Sequence, residues 1–370
     1  MKKKILVISH DFVKKVNIRI YEELNKKKNL EILCVRPKKL FINSKNILKD
    51  FKKKNSNVKI LEKKIVFSNL RLLHFKNIFN VIDKYQPSHI LIHNDPVSFQ
   101  VILIIVFSFF RSFSISCISN ENKALKFIER FEILNFLRSS LLFLMNLFIR
   151  TKIKYIFSIT KQIQKNYNFL GYKNKTILMP LGFDQDIFKK NNLKKDKIFT
   201  ISYFGRISPD KGIHILVEAL QKIKFEFRFF LDVSHIDNSR YQKEIILKLK
   251  KNLPKKNIRF IKCDHFKIAN FMSKSNLVVL PSLYDEQYGR VIQEAVGCGS
   301  LVIGSKVGGI PEIINDNDLL FEKGNIIELA KKINRLRNRN FYKTKLQQLE
   351  TRINNERTLK KQLSVLDKFF

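Results

Sequence analysis

The sequence predicts an α/β protein of two domains, each with a doubly wound parallel sheet. The chain has 370 residues, which is more than one ordinary domain usually contains. Short apolar runs bounded by turn signals alternate with helix-like segments, a pattern typical of βαβ units with buried parallel strands. The runs form two series, and a polar stretch at 189–197 separates them. We therefore expect two Rossmann-like domains.

Each series contains six strand-like runs in chain order. The first series lies at 5–8, 31–35, 90–93, 114–118, 155–159 and 176–179. The second lies at 199–204, 227–231, 258–261, 277–280, 301–303 and 319–321. A charged amphipathic segment from about residue 350 to residue 370 predicts a C-terminal helix. The expected domains are 1–188 and 189–350, followed by the helix at 351–370.

The chain is globular in composition and strongly basic. Hydrophobic residues make up 45% and charged residues 28% of the sequence, and the formal net charge is +39. Residues 1–64 alone hold 18 Lys and 2 Arg against 6 Asp or Glu. Such a charge suits nucleic acid, an anionic membrane surface or an acidic substrate, and a general bias toward lysine also contributes to it. No helix-turn-helix or zinc-finger pattern is present in the sequence, so nucleic acid is not the expected partner.

Cysteine spacing and hydropathy indicate a cytoplasmic protein. The cysteines lie far apart without paired spacing, which favours reduced and mostly buried thiols over disulfides or a zinc site; they are Cys34, Cys117, Cys263 and Cys298. The apolar run at 5–8 is too short for a signal peptide and reads as a first strand. The apolar segment at 101–110 is too short to span a bilayer, and Arg138 interrupts the one at 134–149.

Two carboxylates mark a candidate site in the second series. The apolar run 277–280 ends in Pro-Ser and leads into a loop that carries Glu286. Glu294 follows eight residues later, on the predicted next helix. Ligands of open parallel sheets bind outside the carboxyl ends of the strands, so these side chains are placed where chemistry is expected. Together they could hold two hydroxyl-bearing parts of one ligand.

A second loop, at 205–212, combines a glycine turn with two cations. Gly205 permits a tight turn after the predicted strand, and Arg206 and Lys211 bracket the loop before the next helix. Such a loop suits a diphosphate, because cations and a helix N-terminus both attract anions. It is neither a GxGxxG fingerprint nor a Walker loop. A βα turn with two solvated cations explains this segment equally well.

Taken together, these segments resemble family 4 glycosyltransferases of the GT-B fold. The resemblance implies that the two Rossmann-like domains face each other across a cleft and that the helix at 351–370 crosses back to the first domain. The resemblance rests on Gly-Arg-x-x-x-x-Lys-Gly at 205–212 and on Glu286 and Glu294 with seven residues between them. Three flanking segments fit the same family, at 180–188, 297–305 and 307–312. The similarity is ordered along residues 176–330 and loose in the amino-terminal half.

The resemblance implies a role for each matching position. Arg206 and Lys211 would hold the diphosphate of a nucleotide sugar, UDP- or GDP-linked, and Glu286 would bind sugar hydroxyls. Glu294 would accept both ribose hydroxyls. Backbone N–H groups at the start of the helix would contact sugar and phosphate; they belong to Tyr288, Gly289, Arg290 and Val291. Members of the family retain anomeric configuration and need neither a metal nor another cofactor.

The amino-terminal half offers weaker candidates for the acceptor side. Relatives commonly have a Gly-Gly loop after the first strand, where this chain has Asp11-Phe12-Val13, and a histidine where it has Asn120. Strand ends add His10 and Asp95 to the candidates. Two Asp-x-Asp triplets, at 184–186 and 316–318, suggest a metal site, but solvated turn aspartates are the favoured interpretation.

The favoured function is a retaining glycosyltransferase of cell-envelope polysaccharide biosynthesis, acting on a cell-surface glycan or its lipid-linked precursor. A peripheral position at the inner face of the plasma membrane is expected from the basic amino domain and the Phe/Leu-rich segment 127–149. An ordinary buried helix pair explains that segment equally well. Two other functions stay open: a nucleotide-sugar epimerase or phosphorylase of the same fold, and a non-catalytic basic binding protein.

Overall fold

The computed structural model describes residues 2–27, 29–42, 45–47, 49, 51–67, 72–120, 144, 146–191, 195, 197–234, 239–262 and 265–370. The chain divides into two compact units. The first unit comprises Met1–Pro180 and Gln362–Phe370, and the second comprises Leu181–Lys361. Each unit is built around its own parallel sheet.

The first unit contains a seven-stranded sheet and two small hairpins. Its strands are β1 (Lys3–Ile8), β2 (Leu30–Pro37), β3 (Leu40–Ile42), β4 (Lys45–Ile47), β5 (Lys59–Lys63), β6 (Ile65–Val66), β7 (His74–Phe75), β8 (His89–Ile92), β9 (Ser114–Ser119), β10 (Ile153–Ser158) and β11 (Thr176–Leu178). The sheet order is β11-β10-β9-β8-β1-β2-β5, with every pair parallel. The antiparallel hairpins are β3–β4 and β6–β7.

Helices connect these strands, and the chain terminus returns to this unit. The helices are α1 (Lys15–Leu24), α2 (Ile78–Tyr85), α3 (Phe99–Phe107) and α4 (Lys161–Tyr167). At the end of the chain, the Phe369 ring lies 4.8 Å from the ring of Tyr155 and 5.5 Å from that of Phe157. The ring of Phe370 lies 4.9 Å from His89. Aromatic contacts thus hold the last residues against the first sheet.

The second unit is a six-stranded parallel sheet with helices between its strands. Its strands are β12 (Phe199–Tyr203), β13 (Phe227–Asp232), β14 (Ile258–Ile261), β15 (Leu277–Leu280), β16 (Leu301–Ser305) and β17 (Leu320–Phe321). Its helices are α5 (Ile213–Leu220), α6 (Arg240–Asn252), α7 (His265–Lys274), α8 (Arg290–Gly297), α9 (Ile310–Ile314), α10 (Ile326–Arg335) and α11 (Arg339–Glu356). The last helix, α12 (Leu359–Asp367), begins in this unit and has most of its residues in the first. The sheet order is β14-β13-β12-β15-β16-β17.

The fold class that the sequence predicts is confirmed, since both units have Rossmann-like parallel sheets of buried strands. Every predicted apolar run is a strand, with bounds that differ by at most two residues. The sequence pattern did not indicate β5, the edge strand of the seven-stranded sheet, whose sequence is Lys-Ile-Leu-Glu-Lys. Charges on an edge strand discourage pairing with other chains, and they also hide the strand from a search for apolar runs.

The C-terminal segment differs from the single predicted helix. It forms α11 and α12, which are separated at Arg357 and Thr358. Arg357 leaves the helical conformation, with φ −131° and ψ 28°, and its carbonyl accepts the N–H of Phe183. The carbonyl of Phe183 in turn accepts the N–H of Leu359. These strand-like bonds explain the break, because they take backbone groups that a continuous helix would use.

The boundary between the units lies before the predicted division at 188/189. The bonds of Phe183 with Arg357 and Leu359 are one reason, because they tie residues 181–188 to the second unit. Gly297 is another, since a Cβ there would lie 2.4 Å from the Phe183 ring and 2.7 Å from the Phe188 carbonyl oxygen.

The described cysteines are buried, as the sequence analysis expects. Cys34, Cys117 and Cys298 are buried free thiols, and Cys263 lies outside the described residues. Within the described ranges, no helix is both long enough and apolar enough to cross a membrane. Most of the segment 127–149 also lies outside the described residues.

Candidate active site

The candidate site of the second unit lies where the strand order of its sheet reverses. Strand β12 pairs with β13 on one side and with β15 on the other, so the chain winds outward in both directions from this point. Loops that follow such neighbouring strands meet at the carboxyl edge of the sheet and leave a crevice there. The loops after β12 and β15 are the two segments that the sequence selected, 204–212 and 281–289.

Backbone contacts hold these two loops together. The Asp210 carbonyl accepts the N–H of Leu283 at 2.9 Å and that of Tyr284 at 3.2 Å. Gly212 adopts φ +63°, and a Cβ at this position would lie 1.9 Å from the Pro281 carbonyl oxygen. Only glycine permits both this conformation and this approach. The loop that carries Arg206 and Lys211 is therefore fixed against the end of β15.

Lys211 and Glu286 meet in an ion pair. The Lys211 Nζ donates to Glu286 Oε2, and each side chain is 20% exposed. Ser282 Oγ donates to the same carboxylate oxygen at 3.3 Å. The ammonium group has three donors, so further hydrogen bonds to a ligand are compatible with this pair. The structure thus brings together two residues that are 75 positions apart in the sequence.

Arg206 differs from Lys211 in its surroundings. Its side chain is 65% exposed, and its contact with Asp210 is a loose ion pair at 3.4 Å. An exposed pair of this kind contributes little to stability, so it offers little resistance to a competing anion. The backbone at this residue is anchored, because Tyr203 Oη donates to the Arg206 carbonyl at 2.6 Å. Arg206 is a cation on a fixed loop whose side chain remains accessible.

A glycine pair after β16 supports the Glu286 loop. Gly309 N–H donates to the Glu286 carbonyl at 2.7 Å. Gly308 has φ +53°, and a Cβ there would lie 2.1 Å from the same carbonyl oxygen. The sequence analysis gave neither these glycines nor Ser282 a role in the site. Their positions in the sequence could have indicated them, because Ser282 lies in the first turn after β15, and Gly308 and Gly309 lie in the first turn after β16.

Glu294 is a buried carboxylate on α8. Its side chain lies in the second turn of the helix, and the residue is 7% exposed. Burial raises its pKa to about 7, and the charge of Arg290, one turn earlier, opposes that rise. Among the described residues, none donates a hydrogen bond to this carboxylate. Buried carboxylates normally accept hydrogen bonds, so a ligand whose hydroxyl groups donate to Glu294 would supply these bonds.

The start of α8 carries the remaining donor-side candidates. Gly289 is the N-cap, with φ +64°, and no side chain caps the helix there. The first N–H groups of a helix have no partner within it, so those of Arg290 and Val291 suit an anion. Tyr288 instead has a structural side chain. Its hydroxyl donates to the Leu181 carbonyl at 2.6 Å and accepts from Arg357 at 3.0 Å.

The acceptor-side candidates lie after strands of the first sheet. His10 follows β1, and its Nε2 lies 3.4 Å from Asp11 Oδ1. Asp95 follows β8, is buried, and accepts hydrogen bonds from Ser119 Oγ and Tyr167 Oη. Because β1 and β8 are neighbours at the reversal point of this sheet, their loops share one edge.

Asn120 follows β9, the next strand of the same sheet. Its Oδ1 is buried, and no described residue donates a hydrogen bond to it. A buried acceptor without a donor is a candidate ligand contact, as is the carboxylate of Glu294.

The Asp-x-Asp triplets serve turns. Asp184 Oδ1 accepts the N–H of Asp186 at 3.1 Å, and Asp316 Oδ1 accepts that of Asp318 at 2.9 Å. Lys345 forms ion pairs with both Asp316 and Asp318. The expectation of solvated aspartates was wrong for Asp184, which is 3% exposed. In the described part of the chain, no cluster of three or more His, Cys, Asp or Glu could hold a metal ion.

Comparison with known proteins identifies the second unit. Residues 184–355 match the family model described as "Glycosyl transferases group 1". An uncharacterized glycosyltransferase of Methanocaldococcus jannaschii is 33% identical over 181 residues, 48% of each chain. A lipopolysaccharide 1,2-N-acetylglucosaminetransferase of Salmonella typhimurium is 29% identical over 156 residues, 38% of this chain and 40% of the relative. The chain thus matches about half or less of the length of these relatives.

The solved structures extend the similarity to the whole fold. The crystal structure of Anabaena HepE in complex with UDP and glucose superposes with a TM-score of 0.75. The superposition covers 99% of each chain at 19% sequence identity, which supports a shared fold. Residues 184–355 of this chain thus match the glycosyl transferases group 1 model, and the two parallel-sheet units have the GT-B fold.

Proposed function

We propose that the chain is a retaining glycosyltransferase that uses a nucleotide-sugar donor bound to its second unit. The observation that carries the proposal is the buried Glu294 carboxylate, to which no described residue donates a hydrogen bond, one helix turn beyond an uncapped helix start. In a nucleotide sugar, ribose hydroxyls can donate to the Glu294 carboxylate. Its phosphates can bind the N–H groups at the start of α8 and the cations Arg206 and Lys211. The Anabaena HepE structure in complex with UDP and glucose supports the same donor class, and UDP- and GDP-sugars are the first candidates.

Charge neutralisation at the diphosphate is the proposed catalytic principle. Transfer breaks the bond between the anomeric carbon and the phosphate oxygen, so negative charge develops on the leaving diphosphate. Lys211 and Arg206 would stabilise that charge, and Glu286 would bind sugar hydroxyls while keeping Lys211 in place. The acceptor hydroxyl forms the new glycosidic bond, and its proton passes to the leaving phosphate. No metal is required in this scheme, because the two cations and the helix start supply the positive field.

The acceptor is proposed to be a cell-surface glycan or its lipid-linked precursor. The Salmonella relative, a lipopolysaccharide N-acetylglucosaminetransferase, supports a role in the cell envelope. His10, Asp95 and Asn120, at the carboxyl edge of the first sheet, are proposed acceptor contacts. Work on a lipid-linked substrate would place the protein at the cytoplasmic face of the membrane.

Acceptor-dependent release of nucleotide tests this function. Purified protein is incubated with UDP- and GDP-sugars, with and without lipid-linked glycans, and free nucleoside diphosphate is measured. Release that depends on the acceptor supports transfer. Conversion of the nucleotide sugar to an epimer without any acceptor contradicts it and identifies an epimerase instead. A Lys211→Ala variant assayed in parallel assigns the activity to this site.

A further inference from the structure

An exposed apolar surface lies at the amino-terminal edge of the first sheet. Phe109 and Phe110, which follow α3, are 51% and 72% exposed, and Phe148, just before β10, is 45% exposed. The rings of Phe109 and Phe148 stack, with centroids 5.6 Å apart. Nearby in sequence, Val106, Leu144 and Leu147 are also exposed. We call these six residues the aromatic patch. Clustered large apolar side chains on a surface usually mark an interaction site.

Cations accompany the aromatic patch. Lys152 Nζ lies 3.9 Å from the centroid of the Phe109 ring, and Lys154 is exposed two residues further on. Arg111 lies over the Phe107 ring and pairs with Asp83. The two sequence segments that carry the patch, 106–111 and 144–154, contain four Lys or Arg and no Asp or Glu, and Asp83 adds one carboxylate through its pair with Arg111. The surface therefore combines apolar side chains with a net positive charge.

We propose that the aromatic patch docks this protein onto an anionic lipid bilayer. Phenylalanines beside lysines match the boundary between acyl chains and negatively charged headgroups, where rings insert and ammonium groups remain among phosphates. A protein partner would need an acidic apolar surface, whereas an anionic bilayer offers both features over any area. The inference extends the proposed function, on which it rests for a membrane-borne acceptor, and it gives the membrane contact a location. The sheet edge involved is opposite the carboxyl edge that carries His10, Asp95 and Asn120.

Vesicle flotation tests the proposal without requiring turnover. The full chain is mixed at low salt with phosphatidylcholine vesicles that contain or lack phosphatidylglycerol. Wild-type protein is expected to float only with the anionic vesicles. The double substitution Phe109→Ser/Phe110→Ser should lower the partition coefficient by about tenfold or more, because two rings no longer insert. Lys152→Gln/Lys154→Gln should weaken binding by about fivefold per lysine at low salt.

Matched controls distinguish this surface from exposed apolar residues in general. Leu247→Ser and Ile327→Ser alter side chains of the second unit that are 66% and 68% exposed, and both variants should bind as wild type does. Nucleotide-induced thermal shifts of the Phe109/Phe110 variant should equal those of wild type, which separates this inference from the proposed function. Flotation unaffected by the double substitution would overturn the proposal. So would a wild-type dimer that dissociates in this variant without any vesicle binding, since the patch would then join two copies of the chain.

Discussion

At the residue scale, Lys211 carries the most direct test of the proposed chemistry. Replacing it with alanine removes positive charge from the developing diphosphate, so turnover should fall by about 10²–10³-fold. Thermal stability should fall by only about 1–2 kcal/mol, because Glu286 loses one donor but keeps that of Ser282. Steady-state kinetics and a melting curve measure both effects. Lys222→Ala, an exposed lysine just beyond α5, is the control and should keep wild-type turnover. Normal turnover in Lys211→Ala would remove this residue from the mechanism.

Glu294 makes a pH-dependent prediction. Burial raises its pKa from 4.5 to about 7 in the folded state. The protonated carboxyl is therefore favoured by folding. The stability that it contributes is full below about pH 4.5 and is lost as the pH rises through about 7. Glu294→Gln stays neutral and avoids this loss. Without ligand, the variant should be more stable than wild type at alkaline pH, by on the order of 3 kcal/mol, with the advantage vanishing in acid.

Urea unfolding of both proteins across this pH range measures the difference. A variant that is equally or less stable at alkaline pH would contradict the burial argument.

The same substitution should have the opposite effect on ligand binding. Ribose hydroxyls donate to an ionised carboxylate more strongly than to a neutral amide oxygen. Nucleotide affinity of the wild type should thus rise as the pH increases through about 7, while that of Glu294→Gln should be lower and lack this component. Calorimetric titration with the nucleoside diphosphate measures the affinity of both proteins at each pH. The variant also corrects for ionisation of the phosphate itself, which affects both proteins equally. Identical pH profiles would argue against a ribose contact at Glu294.

At the element scale, the loop after β16 controls the position of Glu286. A Cβ at Gly308 would lie 2.1 Å from the Glu286 carbonyl oxygen, so Gly308→Ala must displace one of the two loops. Turnover should fall by about 10²-fold, as expected when a reacting group is misplaced by an ångström. Gly324→Ala is the matched control, since Gly324 also has positive φ, +77°, but its nearest contact would be at 3.8 Å. Both variants place alanine at a positive φ, but only in Gly308→Ala does the new Cβ overlap the Glu286 carbonyl oxygen. Equal activity of the two would contradict this account.

Elements also show what the sequence could and could not predict. Strand β15 is wholly apolar, β16 is apolar up to Ser305, and both are buried, so their sequence pattern indicates their structure. The edge strand β5 was missed because its charged ends resemble a loop. The roles of Arg206 and Glu294 came from a motif and stay predictions. The pairing of Lys211 with Glu286 could not be derived, because it depends on which strands become neighbours in the sheet.

At the scale of the whole molecule, the chain terminus belongs to the first unit. Phe369 packs against Tyr155 and Phe157, so Phe369→Ala should destabilise the protein. The side chain is half-buried, and we expect a loss of about 1–2 kcal/mol, less than for a fully buried phenylalanine. Chemical denaturation measures it. Phe110→Ala, at a 72% exposed position, should have almost no effect. A stability of Phe369→Ala equal to that of wild type would show that the terminus is not anchored.

We expect the whole chain to bind a nucleotide sugar without a metal. The most direct measurement is a thermal-shift series with nucleoside diphosphates and nucleotide sugars, with and without EDTA. A true ligand at 100 times its Kd should add about 2.7 kcal/mol of stability. The account predicts a selective rise in Tm with one nucleotide class, unchanged by EDTA and reduced in Glu294→Gln. No rise with any nucleotide, together with strong stabilisation by nucleic acid, would contradict it and identify a basic binding protein instead.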